Sequence, residues 1–344
     1  MRLAVCVPQV PFERGGTEIF ADGLVHALRE RGHETELVTI PFKWYPGERV
    51  LTQAFLWRLL DLEEANGRPI DAVIATKFPS YAVRHPRKVV WLLHQFRQAW
   101  DLDRTPLGQF SESAEDRALR RKVLELDRTT LGEARKIFTT SGVVARRLLD
   151  STGLDAEVMA PPPAPLAFRC DAYDDFILSV NRLDRAKRID LLLEAAAIEP
   201  ELRVVIAGDG PDRERLEAFA HERRLDGRAV FTGRVSDETL ADLYARCLGV
   251  YYAPFDEDYG LVPFEAFLSE KPVVTTTDAG GPLDIVHDRE TGLVVAPSSA
   301  EVARACAWLR MHADEARAFG RAGRDLARAV TWDGCVDRLL AAVG

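Results

Sequence analysis

The sequence predicts an α/β protein of two domains, each built on a parallel β-sheet with helices on both faces. Short apolar runs, typical of buried parallel strands, alternate with segments of helical spacing along the chain. The length of 344 residues suits about two domains. Residues 161–165 hold four prolines in five positions, which neither a helix nor a central strand accommodates.

The first half opens with a strand, helix and strand. Residues 3–7 form an apolar run, residues 17–31 have apolar positions at helical spacing, and Gly32 is placed to end that helix. Further strands are predicted at 36–40, 72–75, 89–93 and 136–139.

The alternation of predicted strands and helices is interrupted at residues 158–168 and then resumes. We assign residues 1–160 to a first domain, 161–172 to a proline-rich linker and 173–330 to a second domain. Residues 331–344 are predicted to be a helix that packs back toward the first domain. In the second half we predict strands at 176–180, 203–207, 229–232, 249–253, 272–276 and 293–295, and helices at 189–197, 212–223, 236–247, 262–270 and within 300–344.

Composition excludes several classes of protein. There are 45 Lys and Arg residues against 54 Asp and Glu, a net charge of −9, which argues against a protein devoted to nucleic acid. The five cysteines are scattered and form no Cys-x-x-Cys, so we expect them to be reduced and mostly buried, as in a cytoplasmic protein. No apolar run approaches the ~20 residues of a membrane span, and the N-terminal run is too short for a signal peptide.

The segment 253–267 is the most informative part of the chain. Glu257 and Glu265 lie eight positions apart, with Gly260 between them and a helix predicted to begin near Leu261 and Val262. The backbone N–H groups of Leu261 and Val262 would point out of the helix end, where an anion such as phosphate is favoured. Glu265, one turn further on, could then hold sugar hydroxyls. The alternative is that an acidic residue there serves only the helix dipole.

Two loops carry further candidates. Arg182 and Lys187 follow a predicted strand, where the ligands of parallel sheets bind, and a diphosphate needs such cations. Gly15 and Gly16 follow the first strand, and paired glycines let a backbone approach a ligand closely. The alternative for Arg182 and Lys187 is that they belong to a solvated loop. The alternative for Gly15 and Gly16 is a flexible turn. Neither glycine-containing loop, at 15–16 or at 208–210, completes Gly-x-Gly-x-x-Gly, which disfavours a nicotinamide-dependent oxidoreductase.

Three further candidates lie at the ends of predicted strands. His94 follows the apolar run 89–93, where an active-site histidine belongs, although a structural role is the alternative. Residues 231–235 could present backbone groups to a base. The pair Gly280 and Gly281 forms another loop of close backbone approach.

Taken together, these motifs resemble the retaining GT-B glycosyltransferases of family 4. They are Glu257-x7-Glu265, Arg182-x4-Lys187, Gly15-Gly16, Phe231-Thr-Gly-Arg-Val-Ser and Ala279-Gly-Gly. The resemblance covers essentially the whole chain and is strongest over 176–297. It implies two Rossmann-like domains facing across a cleft, with residues 1–160 as the acceptor-side domain and a sugar nucleotide held mainly by the second domain.

The resemblance also implies roles for individual residues in the second domain. Arg182 and Lys187 would neutralise the donor diphosphate, Glu265 would hold the ribose, and Arg234 and Val235 would lie near the base. The chain departs from the family at Asp284, where Glu is common, and at Asn181, where Gly is common.

The remaining roles concern the transferred sugar. Glu257 and the backbone amides of Gly260, Leu261 and Val262 would hold the sugar and phosphates. Gly16 would touch the diphosphate from the other domain, and His94 would lie by the sugar and help stabilise its cationic transition state.

The resulting expectation is a retaining, metal-independent hexosyltransferase of polysaccharide, glycolipid or glycoconjugate biosynthesis. It would use a UDP- or GDP-sugar and an unidentified hydroxyl acceptor, whether sugar, lipid-linked or natural product. We recognise no Asp-x-Asp metal motif, and we therefore expect no required metal; we expect no cofactor either. The open alternatives are a GT-B nucleotide-sugar 2-epimerase and a non-catalytic sugar-nucleotide-binding partner of another enzyme. Residues 50–62, which include Trp57 and follow Trp44, are either a core helix or a contact with lipid at the inner face of the membrane.

Overall fold

The computed structural model describes residues 1–12, 15–103, 105, 108–163 and 166–344. The chain divides into two compact units, one of Met1–Ala164 with Thr331–Gly344 and one of Pro165–Val330.

The first unit is built on a six-stranded parallel sheet in the order β2-β1-β5-β6-β7-β8. A two-stranded hairpin, β3 with β4, precedes β5. The strands are β1 Arg2–Gln9, β2 Glu34–Pro41, β3 Glu64–Ala65, β4 Arg68–Pro69, β5 Ala72–Ala75, β6 Lys88–Leu92, β7 Lys136–Thr139 and β8 Glu157–Val158. The helices are α1 Gly16–Glu30, α2 Glu48–Leu59, α3 Ala114–Gly132, α4 Gly142–Thr152 and α11 Trp332–Val343.

Two apolar cores cover this sheet. Along β1, Ala4 and Cys6 belong to one core, whereas Leu3, Val5 and Val7 belong to the other. Successive residues of a strand point to opposite faces, so the continuous apolar run of β1 reports burial on both sides.

The C-terminal helix α11 packs on α1 within the first unit. Gly23 faces Trp332 so closely that a Cβ atom there would lie 2.5 Å from Cζ2 of the indole ring. Arg31, at the end of α1, pairs with Asp333 and Asp337 of α11 at 3.4 and 2.6 Å.

The second unit has a six-stranded parallel sheet in the order β11-β10-β9-β12-β13-β14. The strands are β9 Ile177–Val180, β10 Val204–Ala207, β11 Ala229–Gly233, β12 Gly249–Tyr251, β13 Val273–Thr276 and β14 Gly292–Val295. The helices are α5 Ile189–Ile198, α6 Arg213–Glu222, α7 Asp237–Arg246, α8 Val262–Leu268, α9 Ser299–Met311 and α10 Ala313–Arg328. The strand order reverses on either side of β9, as in doubly wound nucleotide-binding sheets. A ligand crevice is therefore expected at the carboxyl ends of β9 and β12.

The predicted two-sheet α/β architecture is confirmed, and the strands at 72–75 and 136–139 have the predicted bounds. The start of the proline-rich break was placed too early, because Val158 belongs to β8. Met159 next to it is buried, its N–H donating to Thr139 O at 2.8 Å and its carbonyl accepting from Trp91 Nε1 at 2.9 Å. The backbone therefore belongs to the sheet up to Met159.

The segment predicted at 50–62 is helix α2, which has two different faces. Val50, Ala54 and Trp57 are fully buried in the first unit, whereas Phe55 and Leu59 are exposed. Among the described residues, no helix is both long and apolar enough to cross a membrane. All five cysteines are free; Cys170 is half-buried and the others are buried.

A buried carboxyl group gives the first unit a predicted pH dependence. Asp127 of α3 accepts hydrogen bonds from Tyr81 Oη at 2.8 Å and Trp100 Nε1 at 2.7 Å. Burial raises the pKa of Asp127 to about 7, although these two bonds oppose the rise. An unfolded aspartate has a pKa of about 4, so the stabilising contribution of Asp127 is complete below that pH. It is lost as the pH rises through about 7.

The test compares thermal unfolding of the wild type with that of Asp127→Asn. The difference in melting temperature, wild type minus variant, should decrease from about pH 4.5 to about pH 7 and then level off. A difference independent of pH over this range would contradict the assignment.

Candidate active site

Two loops flank the switch point of the second sheet, where a ligand crevice is expected. One follows β9 and carries Arg182 and Lys187; the other follows β12 and carries Glu257. Both lie at the carboxyl end of the parallel sheet, where sequence reasoning placed them.

The Arg182 loop is fixed through its backbone to the loop after β10. Asn181 N donates to Ala207 O and Leu183 N to Asp209 O, both at 3.0 Å. Gly208 has a φ of +127°, and a Cβ atom there would lie 1.8 Å from Asn181 O. The glycine is therefore required by close packing of two backbones.

The two cations on the β9 loop have different surroundings. The Arg182 side chain is exposed and, among the described residues, has no hydrogen-bond or ion-pair partner. Lys187 is largely buried, with 18% of its side chain exposed, and its Nζ pairs with Glu257 Oε2. Burial acts to lower the pKa of Lys187, but Tyr252 and Glu257 outweigh burial and raise it, so this ammonium stays charged.

The Glu257 segment is held by the loop after β13. Glu257 N donates to Ala279 O at 2.9 Å, and Glu257 O accepts from Gly281 N at 2.8 Å. Gly280 has a φ of +81°, and a Cβ atom there would lie 2.5 Å from Glu257 O. The predicted close approach at Gly280 and Gly281 is thus an approach to the protein backbone at Glu257 and Asp258.

The turn and helix predicted after Glu257 are present. Gly260 has a φ of +103° and faces Tyr252, whose Cε1 would lie 2.7 Å from an added Cβ atom. Leu261 is the N-cap of α8, which begins at Val262. Glu265 lies one turn in, as its N–H donates to Leu261 O at 3.1 Å.

One oxygen of Glu265 is engaged within the protein. The Tyr244 hydroxyl donates to Glu265 Oε2 at 2.7 Å. Burial raises the pKa of Glu265, and this hydrogen bond opposes the rise. Tyr244 therefore orients the carboxylate.

Arg234 and Val235 follow β11 at the same edge of the sheet. The Arg234 side chain is exposed. Gly208 N donates to Gly233 O at 2.9 Å, which joins the loops after β10 and β11. The candidate residues of the second unit thus lie on loops at one carboxyl edge of the sheet, except Val262 and Glu265, which lie in α8.

Comparison with known proteins decides the family. Residues 170–326 match the family described as Glycosyl transferases group 1. This segment belongs to the group 1 glycosyl transferases. The glycosyltransferase family predicted from the motifs is thereby confirmed for this segment.

Similar sequences carry related descriptions. A D-inositol 3-phosphate glycosyltransferase of Mycobacterium avium is 31% identical over 200 residues, covering 55% of this chain and 47% of the relative. A GDP-mannose-dependent alpha-(1-6)-phosphatidylinositol monomannoside mannosyltransferase of Mycobacterium tuberculosis is 32% identical over 201 residues, covering 53% and 51%. The aligned part spans about half the length of these relatives.

Solved structures confirm the GT-B fold. Sucrose-phosphate synthase of Thermosynechococcus elongatus aligns over 100% of both chains with a TM-score of 0.80 and 20% identity. HepE of Anabaena, solved with UDP and glucose, aligns over 99% of this chain and 100% of its own with a TM-score of 0.70 and 17% identity. At these identities the likeness establishes the fold alone.

In the first unit, Gly15 is the N-cap of α1 and Gly16 its first residue. Gly15 N donates to Glu18 Oε2 at 2.8 Å, and a Cβ atom at Gly16 would meet nothing within 4 Å. The two residues before this pair lie outside the described residues. His94, half-buried after β6, makes a 2.7 Å contact from Nδ1 to Gln95 O.

Lys77 lies at the carboxyl end of the strands of the first sheet and was not singled out from the sequence. Lys77 follows β5, and its Nζ donates to Thr17 Oγ1 of α1 at 3.0 Å. Burial lowers the pKa of Lys77, with Glu18 opposing the effect. Its position just after a buried four-residue strand was the available signal.

The expectation that the chain lacks Asp-x-Asp is wrong, because the pattern occurs at 101–103 and at 256–258. In the first, Asp101 pairs with Arg97 at 2.7 Å and Arg147 at 3.6 Å, and Asp103 pairs with Arg120 at 3.3 Å. The second surrounds Glu257. Metal independence therefore needs a direct test.

Proposed function

We propose that the protein is a retaining hexosyltransferase that moves a hexose from a UDP- or GDP-sugar to a hydroxyl acceptor without a metal. The observation that supports this most is the Lys187–Glu257 pair, beside the exposed Arg182, at the switch point of a group 1 glycosyl transferase unit. It combines cations for a diphosphate with a carboxylate for a sugar.

The cations suit a nucleoside diphosphate. An ammonium has three N–H donors, so Lys187 can keep Glu257 and still donate to a phosphate oxygen. Arg182 can offer two parallel N–H donors to the same anion. Both charges stabilise the diphosphate more as it leaves than while it is bonded to the sugar.

The proposed reaction proceeds on one face of the sugar. The bond from C1 to the diphosphate oxygen breaks, the bond from C1 to the acceptor oxygen forms, and the acceptor proton moves to the departing diphosphate. Glu257 would stabilise the sugar as positive charge develops, and Glu265, oriented by Tyr244, would hold the ribose. The roles of Gly15, Gly16, His94, Arg234 and Val235 remain predictions from the family resemblance.

The named relatives guide the choice of donor. GDP-mannose is the first to test because one matched relative is described as GDP-mannose-dependent. UDP-glucose is the second because HepE was solved with it. Product analysis without acceptor separates the 2-epimerase alternative, since an epimerase alters the nucleotide sugar itself.

Arg182→Ala and Lys187→Ala are expected to weaken binding of GDP or UDP by about 1.5–3 kcal/mol each, as each removes a charge-assisted contact. Isothermal titration calorimetry measures this directly. Arg185→Ala is the matched control, because Arg185 is an exposed cation on the same loop. Wild-type affinity in both test variants would remove the site assignment.

A further inference from the structure

Arg188, next to Lys187, has an unusual backbone. It ends the short helical turn Arg185–Lys187 and precedes α5, with a φ of +50° and a ψ of +45°. This left-handed conformation is disfavoured for residues with a Cβ atom and is usual for glycine. Non-glycine residues remain in it where surrounding contacts hold them.

Most of the contacts that hold Arg188 are made by its guanidinium; in addition, the Tyr251 hydroxyl donates to Arg188 O at 3.1 Å. Nε donates to Ala253 O at 2.9 Å, and Nη2 donates to Pro254 O at 2.8 Å and Thr276 Oγ1 at 2.7 Å. Nη1 and Nη2 also make a bidentate pair with Asp278 at 2.9 and 2.8 Å. These five hydrogen bonds join the loops after β9, β12 and β13.

The joined backbone leads directly to Glu257. Phe255 N donates to Ala186 O at 2.8 Å, and Asp256 N donates to Asp278 O at 2.9 Å. Asp256 is itself left-handed, with a φ of +49°. Hydrogen bonds to Arg188, Ala186 and Asp278 thus hold the segment before Glu257, in which Asp256 has the disfavoured left-handed conformation. The residue before Arg188, Lys187, then pairs with the Glu257 side chain.

We propose that Arg188 is a positioning residue for sugar transfer, which sets Lys187 through its backbone and the Glu257 segment through its guanidinium. This inference rests on the proposed function. Most of the guanidinium N–H groups are used within the protein, so Arg188 acts through Lys187 and Glu257 and does not itself touch the donor.

Arg188→Gly tests this without opposing the turn. Glycine accepts the left-handed conformation, so the variant loses the guanidinium while the backbone is relieved. We expect kcat per binding-competent molecule to fall about 10–100-fold, because misplacement of a reacting group on this scale slows the chemical step. Affinity for GDP or UDP should stay within about threefold, since glycine keeps the left-handed backbone that sets Lys187 and Arg182 retains its place.

The matched control is Arg224→Gly. Arg224 is also left-handed, with a φ of +58°, but its side chain is exposed and it lies after α6, away from the loops after β9 and β12. It should retain wild-type kcat. Arg188→Lys should recover only part of the activity, because lysine cannot make the bidentate bonds to Asp278.

A purely structural role would lower the fraction of protein that binds GDP or UDP and leave kcat per bound site unchanged. That result in Arg188→Gly would overturn the proposal. Should this variant not fold, Asp278→Asn decides: reduced kcat with retained affinity supports the proposal, and unchanged kcat overturns it. Failure of the wild type to bind or transfer any sugar nucleotide would instead refute the proposed function.

Discussion

Glu257→Ala is expected to lower kcat by about 10²–10³-fold, the usual cost of losing one preorganised group that stabilises transition-state charge. Affinity for the nucleoside diphosphate should not fall, because the substitution frees Lys187 from its only carboxylate partner at this site among the described residues. Steady-state kinetics with calorimetry on GDP or UDP separate the two effects.

Glu265→Ala is the comparison variant. A ribose contact is made equally in the ground and transition states, so this change should raise KM more than it lowers kcat. Glu257→Gln keeps the shape of the side chain and removes its charge. It should lower kcat as Glu257→Ala does if the negative charge is what stabilises the sugar in the transition state. Full activity in Glu257→Ala would refute the role of this carboxylate.

Gly208→Ala is expected to destabilise the second unit by about 3 kcal/mol or more, from a disfavoured φ combined with overpacking. The new Cβ atom would lie 1.8 Å from Asn181 O, which is backbone and cannot rotate away. Urea unfolding measures the loss. Donor affinity should fall as well, because the displaced segment carries Arg182.

Gly227→Ala provides the control for conformation alone. Gly227 has a φ of +77°, and a Cβ atom there would meet nothing within 4 Å. It should cost about 1 kcal/mol, the value for a left-handed residue without a clash. Equal losses in the two variants would contradict the account of Gly208 as a close-packing residue.

Sequence patterns predicted most of the fold because parallel strands buried on both faces are nearly continuous apolar runs. Strand β8 was not predicted, because it has only two residues, both exposed, and is recognisable only from its pairing with β7. The positions of Arg182, Lys187 and Glu257 at one sheet edge also followed from the pattern, since parallel strands align their carboxyl ends.

Contacts between distant side chains could not be predicted in this way. The partnership of Tyr244 with Glu265 and that of Arg188 with Asp278 span 21 and 90 residues. The backbone conformation of Arg188 gives no signal in composition or periodicity. The glycine pair at 280–281 was recognised as a place of close approach, but only the structure shows that the approaching group is the Glu257 backbone.

The central claim is retaining, metal-independent transfer from a sugar nucleotide. ¹H NMR of the product formed from an α-linked GDP-mannose or UDP-glucose, in excess EDTA and with a hydroxyl acceptor, tests it most directly. The account predicts an α-linked product at an undiminished rate. A β-linked product would contradict retention, and activity abolished by EDTA and restored by manganese would contradict metal independence.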